Sequence, residues 1–104
     1  MTLTRDFKQT VLARVQADPA FRVALLAEAV NELLGGDVAT GKAILRDYIN
    51  ATVGFESLAE RTGKPSKSLM RMFSPAGNPA AANLFSVLSS LQSESGVTLQ
   101  VQAA

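Results

Sequence analysis

The sequence predicts an all-α protein: a compact bundle of about five helices, with a short β-strand at its C-terminal end. Three observations carry this. Apolar residues recur at i, i+3 and i+4 through most of the 104 residues, the spacing of one helix face. Gly, Pro and Asp interrupt that pattern where the helical stretches start and stop. Only Val97 to Gln102 changes period, with Val97, Leu99 and Val101 alternating against Thr98, Gln100 and Gln102. A chain of this length and 47% hydrophobic content is one domain, residues 1–104, with mass for one core.

The first helix is expected over 4–17. Thr4 can cap it, Asp6 suits its positive N-terminal end, and Phe7, Val11, Leu12 and Val15 form one stripe. Asp18-Pro19 restarts the chain, since Asp is a good N-cap and Pro is tolerated at the first helical position. The second helix, about 19–34, should bury Phe21, Leu25, Leu26, Val30, Leu33 and Leu34 before Gly35-Gly36 ends it. Asp37 caps a third, about 38–51. There Val38, Leu45, Tyr48 and Ile49 face the core with Ile44 beside them, while Lys42, Arg46, Asp47 and Asn50 face water. Gly41 inside that helix costs about 1 kcal/mol relative to alanine.

The stretch Phe55 to Phe73 reads as two short helices joined by a tight turn. Ala59 is small enough to let a second helix cross close by. Gly63 stands where the chain must leave the first helix with a positive φ. Leu69 and Met72 follow the alanine by ten and thirteen residues, and Phe73 completes the apolar side. This is the spacing of a helix-turn-helix that holds one helix in the major groove of DNA. Ser74 to Pro79 is a loop, with two prolines, a glycine and an asparagine in six residues. A last helix, about 80–94, opens at Pro79 and buries Leu84, Val87, Leu88 and Leu91, with Phe85 near the edge, until Ser95-Gly96 stops it.

A lone strand leaves its backbone donors and acceptors unpaired. The 97–102 tail therefore calls for a partner strand, most economically the same tail of a second copy in a two-fold dimer. The rivals are a frayed terminus or a strand awaiting a different protein.

Charge is divided along the chain. Residues 1–60 carry six basic and eight acidic groups, and residues 61–104 carry four basic and one acidic, within a total of +1. Arg61, Lys64, Lys67 and Arg71 thus form a local basic face on a nearly neutral protein. With Leu69, Met72 and Phe73 turned inward, Lys67, Met70, Arg71 and Ser74 face out, and Ser66 stands at the helix start. Arg71 can donate two hydrogen bonds to the O6 and N7 of guanine, and Met70 suits a thymine methyl or packs on a neighbouring helix. Ser66 and Ser68 can hold phosphates or cap and solvate the helix. Lys64 and Lys67 are better read as phosphate contacts.

Other classes fit poorly. There is no cysteine and no histidine, which removes disulfides, thiolate metal sites, the commonest general base and the commonest metal ligand. No cofactor or metal is expected, and no catalytic residue. Asp18 and Asp37 are explained by capping, and Glu28 and Glu32 by a solvated face. Gly36 to Lys42 matches the phosphate-loop pattern through its lysine, but Ala43 replaces the Mg²⁺-holding hydroxyl and a helix precedes it instead of a strand. No apolar run is long enough to span a membrane and no signal-like segment opens the chain, so a cytoplasmic location is expected.

Leu58-Ala59-Glu60, Gly63, Ser68-Leu69, Arg71 and Asn78-Pro79 before an apolar helix resemble the Xre-type, lambda-repressor-like helix-turn-helix family. Gly36-Asp37 and the Ser-Pro-x-Gly-Asn-Pro loop bring the chain closer to a subgroup, the HigA-like addiction-module antidote proteins (antitoxins). The resemblance covers about 35–101 and is specific over 54–91. It divides the chain into a helical extension, 1–36, an Xre-type core, 37–94, and the tail, 97–102. It implies a five-helix DNA-binding fold, a dimer that represses its own operon, and a toxin partner of the RelE-like ribonuclease class. It also implies that Ser66, Lys67, Met70 and Arg71 meet base edges and that Lys64 and Asn78 lie near phosphates. Four positions depart from the pattern. Phe55 replaces a common glutamine, Thr62 and Lys64 replace small apolar residues, and Pro65 replaces a capping serine. A toxin-sequestering interaction module and an orphan prophage regulator without a toxin remain as alternatives.

Overall fold

The computed structural model describes residues 5–104, with side chains from Gln9 onward. The expected roles of Thr4, Asp6 and Phe7 lie outside the described residues and side chains. Six helices are present among the described residues, against the overall expectation of about five and in line with the six helical stretches read one by one. They are α1 (Arg5–Ala17), α2 (Pro19–Leu34), α3 (Val38–Ala51), α4 (Phe55–Thr62), α5 (Ser66–Met72) and α6 (Ala81–Ser95). The last starts at Ala81, so Pro79 belongs to the loop and does not open the helix.

Asp18 caps α2 as the sequence requires, accepting hydrogen bonds from the backbone N–H groups of Ala20 (3.1 Å) and Phe21 (3.2 Å). The α1–α2 corner is further fixed by Arg14, whose guanidinium lies 4.4 Å from the centre of the Phe21 ring and 3.8 Å from the Asp18 carboxylate. Asp37 caps α3 by accepting from the Thr40 N–H at 3.1 Å. That bond holds the Asp37 pKa below its ordinary value.

α2 and α3 form the tightest pair, α1 lies against both, and α4 touches α3, α5 and α6. Gly41 makes the α2–α3 approach possible. A Cβ there would sit 2.6 Å from Leu33 Cδ2 and 3.1 Å from the Ala29 carbonyl oxygen. The glycine is a packing requirement as well as a helix penalty. The core gathers Leu26, Ala29, Leu45, Tyr48, Ile49, Phe55, Leu58, Leu69, Phe73, Val87, Leu88 and Leu91, so every helix from α2 to α6 contributes.

Several expected core positions are exposed. Leu34, at the last residue of α2, is 62% exposed, and Val38 and Leu12 are exposed as well. Leu34 and Val38 flank the α2–α3 turn. Conversely, Lys42 was expected in water and is buried, as described below.

No strand forms among the described residues. The tail after Gly96 runs without regular structure along the bundle. Leu99 packs against the core and its N–H donates to Gln92 Oε1 at 2.8 Å, whereas Val101 is 80% exposed. The alternation therefore leaves Val97 and Leu99 half-buried and Val101 outside. A strand needs ladder partners, and this chain offers the tail a side-chain amide instead.

The Tyr48 hydroxyl is buried without a hydrogen-bond partner. Ser95 lies near enough to favour its ionised form slightly, but not in bonding geometry. Burial, aided by the negative charge of Glu94, pushes the Tyr48 pKa up. A buried hydroxyl left unpaired costs about 1–3 kcal/mol. Tyr48→Phe removes that penalty at nearly constant volume, so urea unfolding should give a stability equal to or about 1 kcal/mol above the parent. A loss of similar size would show that the hydroxyl is satisfied.

Candidate nucleic-acid interface

α4 and α5 are short and are held by what they bury. Leu58 and Phe55 of α4, with Leu69 of α5 and Phe73 just after it, enter the core, and the Phe55 and Phe73 rings lie 6.3 Å apart at 49°. Phe55, where the resembled family often has a polar anchor, is thus part of the core. Gly63 ends α4 in the left-handed region at φ 69°, and its N–H donates to the Ala59 carbonyl at 2.9 Å. Lys64 and Pro65 then lead directly into α5, which begins at Ser66 without a side-chain cap. Thr62 is accommodated by donating its hydroxyl proton to the Leu58 carbonyl at 2.8 Å.

With Leu69 and Phe73 inward and Met72 half-buried, the opposite side of α5 is open. Lys67, Ser68 and Arg71 are exposed, Met70 is 47% exposed, and Ser66 and Lys64 are half-buried. Met70 is therefore outside the core. None of Lys64, Lys67 and Arg71 is paired with a carboxylate; the ion pair among the described residues is Arg14–Asp18. Ser74 is half-buried rather than open, because its hydroxyl donates to the Arg71 carbonyl at 2.7 Å.

The loop after α5 folds back beside it. Ser74-Pro75-Ala76-Gly77 is a turn closed by the Gly77 N–H donating to the Ser74 carbonyl at 3.0 Å, with Pro at the favoured second position. Asn78, exposed just beyond it, shares a shallow cleft of about 230 Å³ with Ser68 and Arg71. Three of the seven predicted residues thus line one cleft. Lys64, Ser66, Lys67 and Met70 lie outside it, on the turn and the open side of α5.

Two features escaped the sequence reading. The first is Lys42, 5% exposed, whose ammonium donates to the carbonyls of Ser74 (3.0 Å) and Gly77. The false phosphate-loop lysine is consumed inside the protein. The second is a polar groove lined by Arg61, Thr62, Ser86, Ser89, Ser90 and Ser93, between the end of α4 and α6. Its signal was present, since those serines recur at i, i+3, i+4 and i+7 on the side of α6 away from the core.

No residue cluster suited to a metal ion occurs among the described residues. No helix among them is long and apolar enough to cross a membrane. The chain matches no protein-family model, and neither a curated protein nor a solved structure is significantly similar to it.

The Gly63 turn sets how α5 leaves α4. A side chain in the left-handed region costs about 1–2 kcal/mol. Gly63→Ala should therefore lower stability by that amount in denaturant unfolding, while Gly35→Ala, at φ −76°, should not.

Proposed function

We propose that this protein is a sequence-specific DNA-binding transcriptional regulator, with α4 and α5 acting as an Xre-type, lambda-repressor-like helix-turn-helix and α5 entering the major groove. One observation carries this reading: a helix anchored by Leu69 and Phe73 turns a face of Lys67, Met70 and Arg71 to solvent with no acid paired to it. Arg71 reads guanine through two hydrogen bonds, and Met70 meets a thymine methyl. Ser66 and Ser68 supply short polar contacts. Lys64, Lys67 and Asn78 hold phosphates and fix register.

The regulator acts as a homodimer on a palindromic site with half-sites roughly 34 Å apart. Support for the dimer comes from a groove between α2, α6 and the tail. Leu34, Phe85 (65% exposed) and Val101 rim it, and no charged residue lines it. A two-fold contact sets each residue near its own copy's patch, so an uncharged lining avoids self-repulsion. The tails, whose Val97 and Leu99 N–H groups are taken by Gln92 within one chain, can pair there as a ribbon through the remaining backbone groups.

The resemblance extends the proposal to an antitoxin that represses its own operon and binds a RelE-like toxin in the cytoplasm. The same uncharged groove favours a second reading, in which the chain chiefly sequesters that toxin and DNA binding is secondary. A regulator without a toxin uses the DNA-binding surface alone. Neutralising Lys67 and Arg71 together separates these: DNA binding is lost while toxin binding survives.

Duplexes enriched from a random pool and scrambled controls, titrated at two salt concentrations, test the DNA surface. Arg71→Ala should lose about 1–3 kcal/mol on the enriched duplex and much less on the scrambled one. Lys64→Ala should weaken both alike and lower the salt slope by about 1. Equal losses on both duplexes for Arg71→Ala remove it as a base reader. For the dimer, light scattering should give twice the chain mass for the parent and the single-chain mass for Phe85→Asp or Val101→Asp. Unchanged mass in both variants discards this interface.

A further inference from the structure

A lysine 5% exposed on a helix of a nearly neutral protein needs an account. Lys42 lies on α3, and its two acceptors, the carbonyls of Ser74 and Gly77, belong to the turn after α5, 32 and 35 residues further on. Stability alone does not require an ammonium here. Burying a charge costs several kcal/mol before its partners repay it, and an apolar side chain of similar volume often does as well. What only a donor can do is fix two carbonyl oxygens in one geometry.

Those carbonyls are wired to the open side of α5. The Gly77 N–H donates to the Ser74 carbonyl at 3.0 Å, and the Ser74 N–H donates to the Arg71 carbonyl at 3.2 Å. Gly77 rides so close to α5 that a Cβ would overlap the Arg71 carbonyl oxygen and sit 2.7 Å from that of Met72. Asn78 follows directly and shares the cleft with Arg71 and Ser68. From Lys42 to Arg71 the chain of contacts is therefore continuous and consists of hydrogen bonds to backbone atoms.

We infer that Lys42 is a positioning residue for the DNA-contacting surface: by clamping the Ser74–Gly77 turn beneath α5, it fixes the placement of Asn78 relative to Arg71. This rests on the DNA-binding reading and adds a residue to it that touches no DNA. Phosphate held by Asn78 and base edge read by Arg71 then belong to one rigid unit. Releasing the clamp lets the turn swing, so that Arg71 keeps its charge but loses its register.

The test uses the full chain in two variants. Lys42→Met keeps length and volume but removes the donors. Gly77→Ala leaves Lys42 in place and pushes the turn off α5. Amide hydrogen exchange reads the clamp without DNA, and the affinity ratio for enriched over scrambled duplex reads the register. Both are measured where each variant is folded by circular dichroism.

In each variant, exchange at 74–79 should quicken while that of α2 and α3 holds. The ratio should fall by about tenfold, the scale of one lost bidentate base contact. Because both changes act on one unit, the double variant should discriminate no worse than either alone. A ratio kept within about twofold, the usual scatter of neutral substitutions, overturns the proposal, whatever exchange shows. So does unchanged exchange at 74–79. If Lys42→Met does not fold, Gly77→Ala carries the same two criteria. A parent chain with no preference for the enriched duplex overturns the DNA reading and the proposal together. That failure is distinct, because it occurs before any substitution.

Discussion

A helix of seven residues has no stability of its own. Nucleation is costly, and α5 is far shorter than the roughly 12–15 residues at which an isolated helix becomes even marginal in water. It persists because Leu69 and Phe73 are buried beneath it, against Phe55 and Leu58 of α4. That dependence explains much of the arrangement around it. The helix cannot rotate without exposing Phe73, so its outward side is determined by its inward side. The same two anchors that stabilise α5 therefore decide that Lys67, Met70 and Arg71 meet solvent. Three further constraints act at its ends: the left-handed turn at Gly63, the extended Pro65 with φ −60° and ψ 141°, and the Ser74–Gly77 turn held by Lys42.

Most of this was legible from residue order, and the exceptions share a cause. Helix periodicity located α2, α3 and α6 because each buries a stripe repeated over several turns, as Val87, Leu88 and Leu91 do in α6, whereas α4 and α5 were read from the spacing of Ala59, Gly63, Leu69 and Met72. Asp18 and Gly63 were readable because capping and positive φ are local chemistry, complete within a few residues. Leu34, Val38 and Leu12 have the right periodicity, yet periodicity cannot say where a helix outruns its neighbours. Lys42 was misread for the same reason. Its side chain is satisfied by carbonyls more than thirty residues away, and nothing within α3 announces them. The tail shows the limit most plainly. Alternation at Val97, Leu99 and Val101 says that a strand is possible, whereas forming one depends on a partner edge that no single chain supplies here.

For the candidate interface, accessibility was legible and grouping was not. Of the seven polar, basic and thioether positions chosen from residue order, Lys67, Ser68, Met70, Arg71 and Asn78 are exposed, Lys64 and Ser66 are half-buried, and none is buried. Their division was invisible: Ser68, Arg71 and Asn78 face one cleft, and Lys64, Ser66, Lys67 and Met70 lie beyond it. That division follows from the loop's return path, which Gly77 permits by having no Cβ to strike the α5 carbonyls. A pattern search sees Gly77 as turn chemistry. The structure gives it a second reason, close backbone approach, and that reason brings Asn78 to Arg71.

Charge and apolar surface are also separated in a way that bears on the proposed reading. The basic residues from Arg61 onward concentrate around α4 and α5, whereas the groove between α2, α6 and the tail has no charged lining at all. On the proposed reading, a polyanion would be drawn to the first by long-range attraction that salt weakens. The second offers only burial of Leu34, Phe85 and Val101, which salt does not weaken. A dimer held through such a groove would keep its association over the ionic strengths at which its hold on DNA is tuned. Partner and polyanion would then be governed by different forces on different surfaces, so that altering one contact leaves the other intact.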